Sequence, residues 1–409
     1  MSNSDERLTG FGSVAIHAGN LKDVNNAHLT PIYASSTYVF DSADQGMRRF
    51  NGDEEGYIYS RWGNPTMTVA EQKISALESF GLVDKNGDSL KLRTILHSSG
   101  MAALSSLLLG NLETGDKILT HFSLYGGTQE IVEKILPSFG IEALIVDLRD
   151  LDKAREAMKM NSDLKMLFME TPANPTIQCV DIDELSKMGK EHNLVIAVDN
   201  TFATPYLQQP FKYDVDFIFH STTKFLNGHG TAIGGALVGK DLDFMNERMT
   251  KVHRLLGGNS NAFDAYLLIQ GMKTLEVRME RHCSNALQVA TFLENHAAVN
   301  KVNYPGLSSH ADHKTAMKQM RHPGPMLSFE LNGGLEAGKK CIDKLQMCVR
   351  AVSLGTCDTL LSHPASMTHY GVPAEKRRTY GITDGLIRMS VGIENVADII
   401  NDLDQSLKD

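Results

Sequence analysis

From about residue 66 onward, short apolar runs alternate with segments of helical period. The runs are KILTHF at 117–122, IEALIVDL at 141–148, LKMLFMET at 164–171, LVIAVDN at 194–200, VDFIFHS at 215–221 and AIGGALVG at 232–239. Each is nearly continuous in apolar residues, the pattern of a strand covered on both faces. Helix candidates lie between them near 99–112, 126–139 and 182–192. An earlier helix, from Val69 to Phe80, sets Val69, Ile74, Leu77 and Phe80 roughly on one face. The polar VDKNGDS at 83–89 reads as a loop. Strands alternating with helices predict an α/β layer with a mostly parallel sheet.

The ends of the chain break this rhythm. Residues 1–64 have little sustained period but carry Pro31, Tyr33, Tyr38, Phe40, Tyr57, Tyr59 and Trp62. So many aromatic residues do not suit a disordered tail, so the segment is expected to pack on something else, such as another subunit. Beyond about 275 the pattern is helix-rich with fewer strands. The expected organisation is an N-terminal arm (1–64), a large domain (65–275) and a smaller C-terminal α+β domain (276–409). The length of 409 residues agrees with more than one core.

Composition narrows the function classes. Hydrophobic residues make up 42% and charged residues 22%, as in an ordinary globular protein. A net charge of -9 argues against a nucleic-acid partner, which needs clustered Lys and Arg. No apolar run approaches the length of a membrane span, so no membrane partner is expected. The five cysteines form no C-x-x-C pair, so neither a disulfide framework nor a zinc knuckle is indicated. His310 and His313, and His363 and His369, lack partners in a ligand rhythm, so no metal is expected. The polar, acidic N-terminus MSNSDERLTGFGS is unlike a signal peptide, and a cytoplasmic location is expected.

Chemistry gathers where the apolar runs end. In open α/β sheets, ligands sit at the carboxyl ends of strands. Asp199, Asn200 and Thr201 follow one run; His220, Ser221, Thr222, Thr223 and Lys224 follow the next. A carboxylate and an amine thus emerge from successive strands. Pyridoxal phosphate asks for that set: an amine to form an imine, a carboxylate for the ring nitrogen, and hydroxyls for the phosphate. Seen alone, Asp199 and Lys224 fit a plain salt bridge at a sheet edge better than a cofactor site, since structural ion pairs are common. HSSGMAA at 97–103 opens an apolar helix, where Gly100 permits close backbone approach and free N–H groups favour an anion. A plain serine cap is the competing reading. NGHGTAIGG at 227–235 has the wrong spacing for a dinucleotide fingerprint, which weakens a nicotinamide reading.

Taken jointly, these segments resemble the Cys/Met-metabolism (transsulfuration) family of pyridoxal-phosphate enzymes, from about Ser13 to Leu407. The motifs are YSRWGNPT (59–66), SSGMAA (98–103), LYGGT (124–128), ETPANPT (170–176), VDNTFATP (198–205), HSTTKFLNGHG (220–230) and HPASMTH (363–369). The resemblance implies the fold-type-I, aspartate-aminotransferase-like architecture and pyridoxal 5'-phosphate as cofactor. It implies that Lys224 carries the cofactor as a Schiff base and that Asp199 pairs with its pyridine nitrogen. Tyr125 would stack on the ring and take part in proton transfer. Ser221 and Thr223, with the backbone of Gly100 and Met101, would hold the phosphate, and Tyr59 and Arg61 would reach a neighbouring subunit's phosphate. Arg388 would grip the substrate carboxylate, with Ser353 and Asn174 nearby; Asn174 also counts among the cofactor-binding residues. A homotetramer built from two catalytic dimers is implied.

MKTLEVRMERHCSNA (272–286) and RAVSLG (350–355) look most like methionine γ-lyase. The sequence departs from the bacterial enzymes of that kind in having Gly127 where a cysteine is usual. It departs from cystathionine γ-lyases in having Val352 where a glutamate is typical. The insertion near 82–93 and LLGGNSN (255–261) are further departures, of a kind that reshapes a substrate entrance. The expected reaction is α,γ-elimination of a small sulfur-containing amino acid of the methionine or homocysteine type, giving a 2-oxo acid, ammonia and a thiol. Lys224 would move protons along one face of the cofactor, and Tyr125 would assist the leaving group. The alternatives are a γ-replacement transferase, cystathionine γ-synthase or O-acylhomoserine sulfhydrylase, and a cystathionine γ- or β-lyase. A non-catalytic relative would have lost Lys224 or Asp199; both are present.

Overall fold

The computed structural model of the chain describes residues 8–21 and 23–408. The first seven residues of the expected N-terminal arm, and Lys22 within it, lie outside the described residues. Seven strands make a mostly parallel sheet: β1 (Arg93–His97), β2 (Lys117–His121), β3 (Glu142–Val146), β4 (Leu164–Glu170), β5 (Val195–Asp199), β6 (Phe217–His220) and β7 (Gly235–Gly239). Five more make a second, smaller sheet: β8 (Val299–Asn303), β9 (Met326–Leu331), β10 (Val349–Arg350), β11 (Leu360–Ser362) and β12 (Leu386–Ser390). Each of the six expected apolar runs contains a strand, and β1 is an addition to them. By contact density the chain divides into two units, and it passes between them several times.

The first unit takes the described residues up to Gly110, with 219–223 and 231–274. Its β1 and β7 pair antiparallel, with Ile95 opposite Leu237. The helix Pro65–Glu78 begins where Asn64 caps it, its side-chain oxygen accepting the N–H of Thr66, with Pro65 just inside. It buries Val69, Ile74 and Leu77. Asn64 also ties down the preceding segment, because its amide donates to the Tyr33 carbonyl and the Tyr38 hydroxyl. The same segment leaves Val39 90% exposed and Met47 and Phe50 60% exposed. The helix Gly100–Asn111 is apolar nearly all round and buries Ala103, Leu104, Leu107 and Leu108.

The second unit takes 111–218, 224–230 and the chain from Leu275 on. Four strands run parallel in the order β5-β4-β2-β3. Leu167, Ile196, Ala197 and Leu119 on the inner strands are fully buried. β3 departs from the expectation of a strand covered on both faces: it lies at the end of that order, with Glu142 and Ile145 exposed. The helix expected near 126–139 is three pieces, an α-helix Gly126–Glu130, a wider turn Ile131–Ile135 and a tight 3₁₀ turn Leu136–Phe139. Pro137 cannot donate into a regular helix, and Gly140 ends the run at φ 72°. The second sheet, ordered β10-β11-β12-β9-β8, is antiparallel except where β10 meets β11. Its Leu327, Phe329, Ile387 and Met389 form a core with Val289 and Leu293 of the helix Leu275–Glu294 and with Ile399 and Leu403 of the helix Val396–Leu407.

Candidate active site

The carboxyl ends of β2, β4 and β5 place three groups of the second unit side by side in sequence-readable order. Asp199 ends β5 and Glu170 ends β4, opposite each other in register. Tyr125 follows β2 by four residues, at the cap of the helix Gly126–Glu130. Asp199 is 8% exposed, and its Oδ1 accepts the N–H of Thr201 at 2.9 Å. Glu170 is 4% exposed. Its Oε2 accepts the N–H of Tyr125 at 2.8 Å and its Oε1 the N–H of Asn174 at 2.9 Å. Burial and the neighbouring Asp199 push the Glu170 carboxyl above the usual carboxylate range, while the N–H groups of Tyr125 and Asn174 pull it back down.

Lys224 sits on a turn that the same unit holds from three directions. The N–H of Gly228 donates back to the Lys224 carbonyl at 2.8 Å. Arg278, buried, donates to the carbonyl of Phe225 at 2.9 Å. Gly355, at φ 81°, presses on the turn so closely that a Cβ there would lie 2.6 Å from the Phe225 nitrogen and 2.8 Å from the Lys224 carbonyl carbon. The Lys224 amine donates to the Ser353 hydroxyl at 3.2 Å. Burial, and next the charge of Arg388, draw its pKa down from 10.5 to about 8.

Arg388 lies in β12 and is 4% exposed. Its Nη2 donates to the carbonyls of Ser353 at 2.7 Å and Val352 at 3.0 Å, and its Nη1 to Oδ1 of Asn174 at 3.4 Å. No carboxylate pairs with it among the described residues, and its buried Nε has no protein partner. A buried guanidinium without an anion is costly, and the cost falls away when an anion arrives. Lys224, Ser353, Arg388, Asn174, Glu170 and Tyr125 are therefore linked in one chain of hydrogen bonds, with Asp199 beside Glu170.

The depressed lysine has a stability consequence in the cofactor-free protein. In the unfolded chain Lys224 keeps its proton up to about 10.5, whereas in the fold it loses it near 8. Between those values the unfolded chain binds more protons, so stability rises with pH across the window. Below it the buried charge costs about 3 kcal/mol. Cofactor-free Lys224→Met should therefore be more stable than wild type by about that amount at pH 7. The gain should shrink as pH rises from 8 toward 10.5. Urea unfolding at pH 7 and again near the top of the window checks both the sign and the trend.

The first unit carries the expected phosphate-binding residues. Ser99 caps the helix Gly100–Asn111 by accepting the N–H of Ala102 at 3.1 Å. This leaves first-turn N–H groups such as those of Gly100 and Met101 without intrahelical partners. Gly100 packs against Ser221, where a Cβ would lie 3.0 Å from the serine Cβ and 3.1 Å from its Oγ. Any larger residue would push the serine back by a few tenths of an ångström. The Thr223 hydroxyl is engaged with Gly234, donating to its carbonyl at 3.2 Å and accepting its N–H at 3.0 Å. The Arg61 guanidinium lies over the Tyr59 ring, 5.7 Å from its centroid, and donates to the Arg254 carbonyl.

These residues fit pyridoxal phosphate in kind. The chain offers an amine titrating near neutrality, a buried carboxylate at a strand end, and a glycine-opened helix start beside a serine. Three residues with clear structural parts were given no role from sequence: Glu170, Gly355 and Arg278. Glu170 stands in the ETPANPT motif and Gly355 in RAVSLG, but no side-chain pattern reveals which backbone atoms they meet.

The family model described as Cys/Met metabolism PLP-dependent enzyme matches residues 12–408. An L-methionine gamma-lyase of Fusobacterium nucleatum subsp. polymorphum is 48% identical over 400 residues, 98% of each chain. An L-methionine gamma-lyase of Treponema denticola is 44% identical over 409 residues, covering 100% of this chain and 99% of its own. The crystal structure of metB from Corynebacterium glutamicum superposes with a TM-score of 0.89 at 36% identity, covering 99% of both chains.

Proposed function

The chain belongs to the Cys/Met-metabolism family of pyridoxal-phosphate-dependent enzymes, and on that premise we propose that it is a carbon–sulfur lyase acting on methionine and homocysteine by α,γ-elimination. The C–S bond breaks and one water is consumed, so the products are a 2-oxo acid, ammonia and a thiol. The observation that carries this reading is the buried Arg388 guanidinium, without an anion, joined through Ser353 to the Lys224 amine. An α-amino acid brings to such a pair the carboxylate and the α-proton it lacks.

In the second unit Lys224 would hold the cofactor as an imine, Asp199 would pair with its ring nitrogen, and Tyr125 would stack on it. In the first unit Ser221, Thr223 and the backbone of Gly100 and Met101 carry the chemistry of a phosphate cradle; Thr223 would first give up its bond to the Gly234 carbonyl. When bound, pyridoxal phosphate supplies the electron sink for negative charge developing at the substrate carbon. Arg388 orients the amino acid by its carboxylate, with Asn174 and Ser353 fixing the guanidinium. Lys224, whose amine burial and Arg388 hold below the usual lysine range, takes the α-proton and returns it along the substrate. Tyr125 delivers a proton to the departing sulfur. Val352 offers no charge to a second amino-acid head, which favours methionine and homocysteine over cystathionine.

The exposed Val39, Met47, Phe50, Leu255 and Leu256 of the first unit support burial in a homo-oligomer. In a homotetramer of two catalytic dimers, Tyr59 and Arg61 would serve a neighbouring subunit's phosphate. No helix of the described residues is long and apolar enough to cross a membrane.

A panel of single substrates tests the reaction. Purified protein loaded with cofactor should release 2-oxobutanoate from methionine and from homocysteine alone, and more slowly from cystathionine. Turnover confined to an O-acylhomoserine plus a thiol would replace the lyase with a γ-replacement transferase.

A further inference from the structure

We propose that Glu170 is a positioning residue of this reaction, whose carboxyl fixes Tyr125 and Asn174 together and so couples the proton-delivering phenol to the carboxylate grip. The inference rests on the lyase reading above for the roles of Tyr125 and Arg388.

The geometry is specific. One carboxyl accepts two backbone N–H groups with its two oxygens, one from the loop after β2 and one from the loop after β4. The first sets where the Tyr125 side chain leaves the backbone, at the cap of the helix Gly126–Glu130. The second sets Asn174, whose Oδ1 accepts from the Arg388 guanidinium. Glu170 itself ends β4 in register with Asp199. Its place is thus fixed by the sheet, and the sheet position is transmitted to two loops.

The cost of this arrangement argues that it is used. Glu170 is buried, stands beside a second carboxyl, and makes no ion pair among the described residues. Burying a carboxyl under those conditions is unfavourable. Glutamine would fill the same volume at lower cost, but its amide has one acceptor oxygen and would turn an NH₂ toward one of the two N–H donors. Only a carboxyl satisfies both loops. A displacement of about 1 Å at a reacting group can cost about 100-fold in rate, so a clamp at the root of two such groups has leverage over the chemistry.

The test compares full-length, cofactor-loaded wild type with Glu170→Gln. Thermal midpoint, cofactor content, per-site kcat, KM for methionine and the visible circular dichroism of the bound cofactor are measured together. The expected result is a folded variant with wild-type cofactor content, kcat lowered at least about tenfold, KM raised several-fold, and an altered visible dichroism as the Tyr125 ring moves. Adding Tyr125→Phe to Glu170→Gln should then cost less than it does alone, because both act through the phenol. Per-site kcat, KM and dichroism within about twofold of wild type overturn the proposal. So does a loss of stability and cofactor content with per-site kcat unchanged, which marks a purely structural residue. Should Glu170→Gln not fold, Glu170→Asp decides: it keeps two acceptor oxygens on a shorter arm, and the same kinetic and dichroic changes in milder form are expected. If wild type turns over none of the panel substrates, the lyase reading falls, while the dichroism of the loaded variant still decides whether Glu170 positions Tyr125.

Discussion

Lys224→Ala lowers methionine turnover by at least about 10⁴-fold, the expected result if one amine both carries the cofactor and moves the proton. The amine is held for that work. Its turn is closed by the Gly228 N–H, fastened by Arg278 and pressed by Gly355, and its nitrogen rests on Ser353. In the cofactor-free protein burial and Arg388 bring its pKa down to about 8, which eases loss of its proton before it attacks the cofactor. Alanine removes the nitrogen and leaves the turn, so the variant should fold. Wild type should be yellow with its imine; the variant should show no such absorption after cofactor is added. A small primary amine in the buffer should restore part of the turnover. Methionine turnover at the wild-type rate in Lys224→Ala would remove the basis of the mechanism.

Arg388→Ala should lower kcat/KM for methionine by about 10²–10³-fold, the loss expected when one partner of a buried, hydrogen-bonded charge pair is removed. Arg388→Lys keeps the charge but loses the planar fork, and should recover only part of that loss. The discriminating measurement uses the decarboxylated analogue of methionine, the amine without its carboxylate. If the guanidinium exists to hold the carboxylate, wild type and Arg388→Ala should bind this amine with similar affinity. An equal loss for both ligands would mean that Arg388 acts instead by bracing the Val352–Ser353 carbonyls.

Much of the second unit's sheet was readable in advance, because buried parallel strands must be apolar on both faces and such runs stand out. β1 was not. Its segment RTILH is short, and it becomes a strand by pairing antiparallel with β7, more than a hundred residues away. The helix Leu151–Met160 also escaped notice, since it buries only Ala154 and Met158 and has a weak apolar stripe. The region after Tyr125 has a helical period that Pro137 and the local winding divide into three turns. β3 looked like an inner strand because its run is apolar, yet its place at the end of the parallel order exposes it.

The site shows the same division. Lys224 and Asp199 were legible because they end apolar runs, and strand ends are where ligands gather in such sheets. Arg388 and Tyr125 became candidates only through the joint motif pattern, since a lone arginine or tyrosine says little. Glu170 had no signal of its own: its partners are backbone N–H groups 45 residues before it and 4 after it.

By itself, then, the amino-acid sequence determined which segments are buried strands, which amine and carboxylate stand at their ends, and which family the motifs resemble. Tertiary structure alone decided that Arg388 is buried without an anion, that Lys224 is braced by Gly355 and Arg278, and that Glu170 clamps two loops. The reason is physical. Burial and helical or strand period are written in local side-chain chemistry, whereas desolvation, backbone hydrogen bonding and close glycine contacts depend on what distant segments bring to the same place.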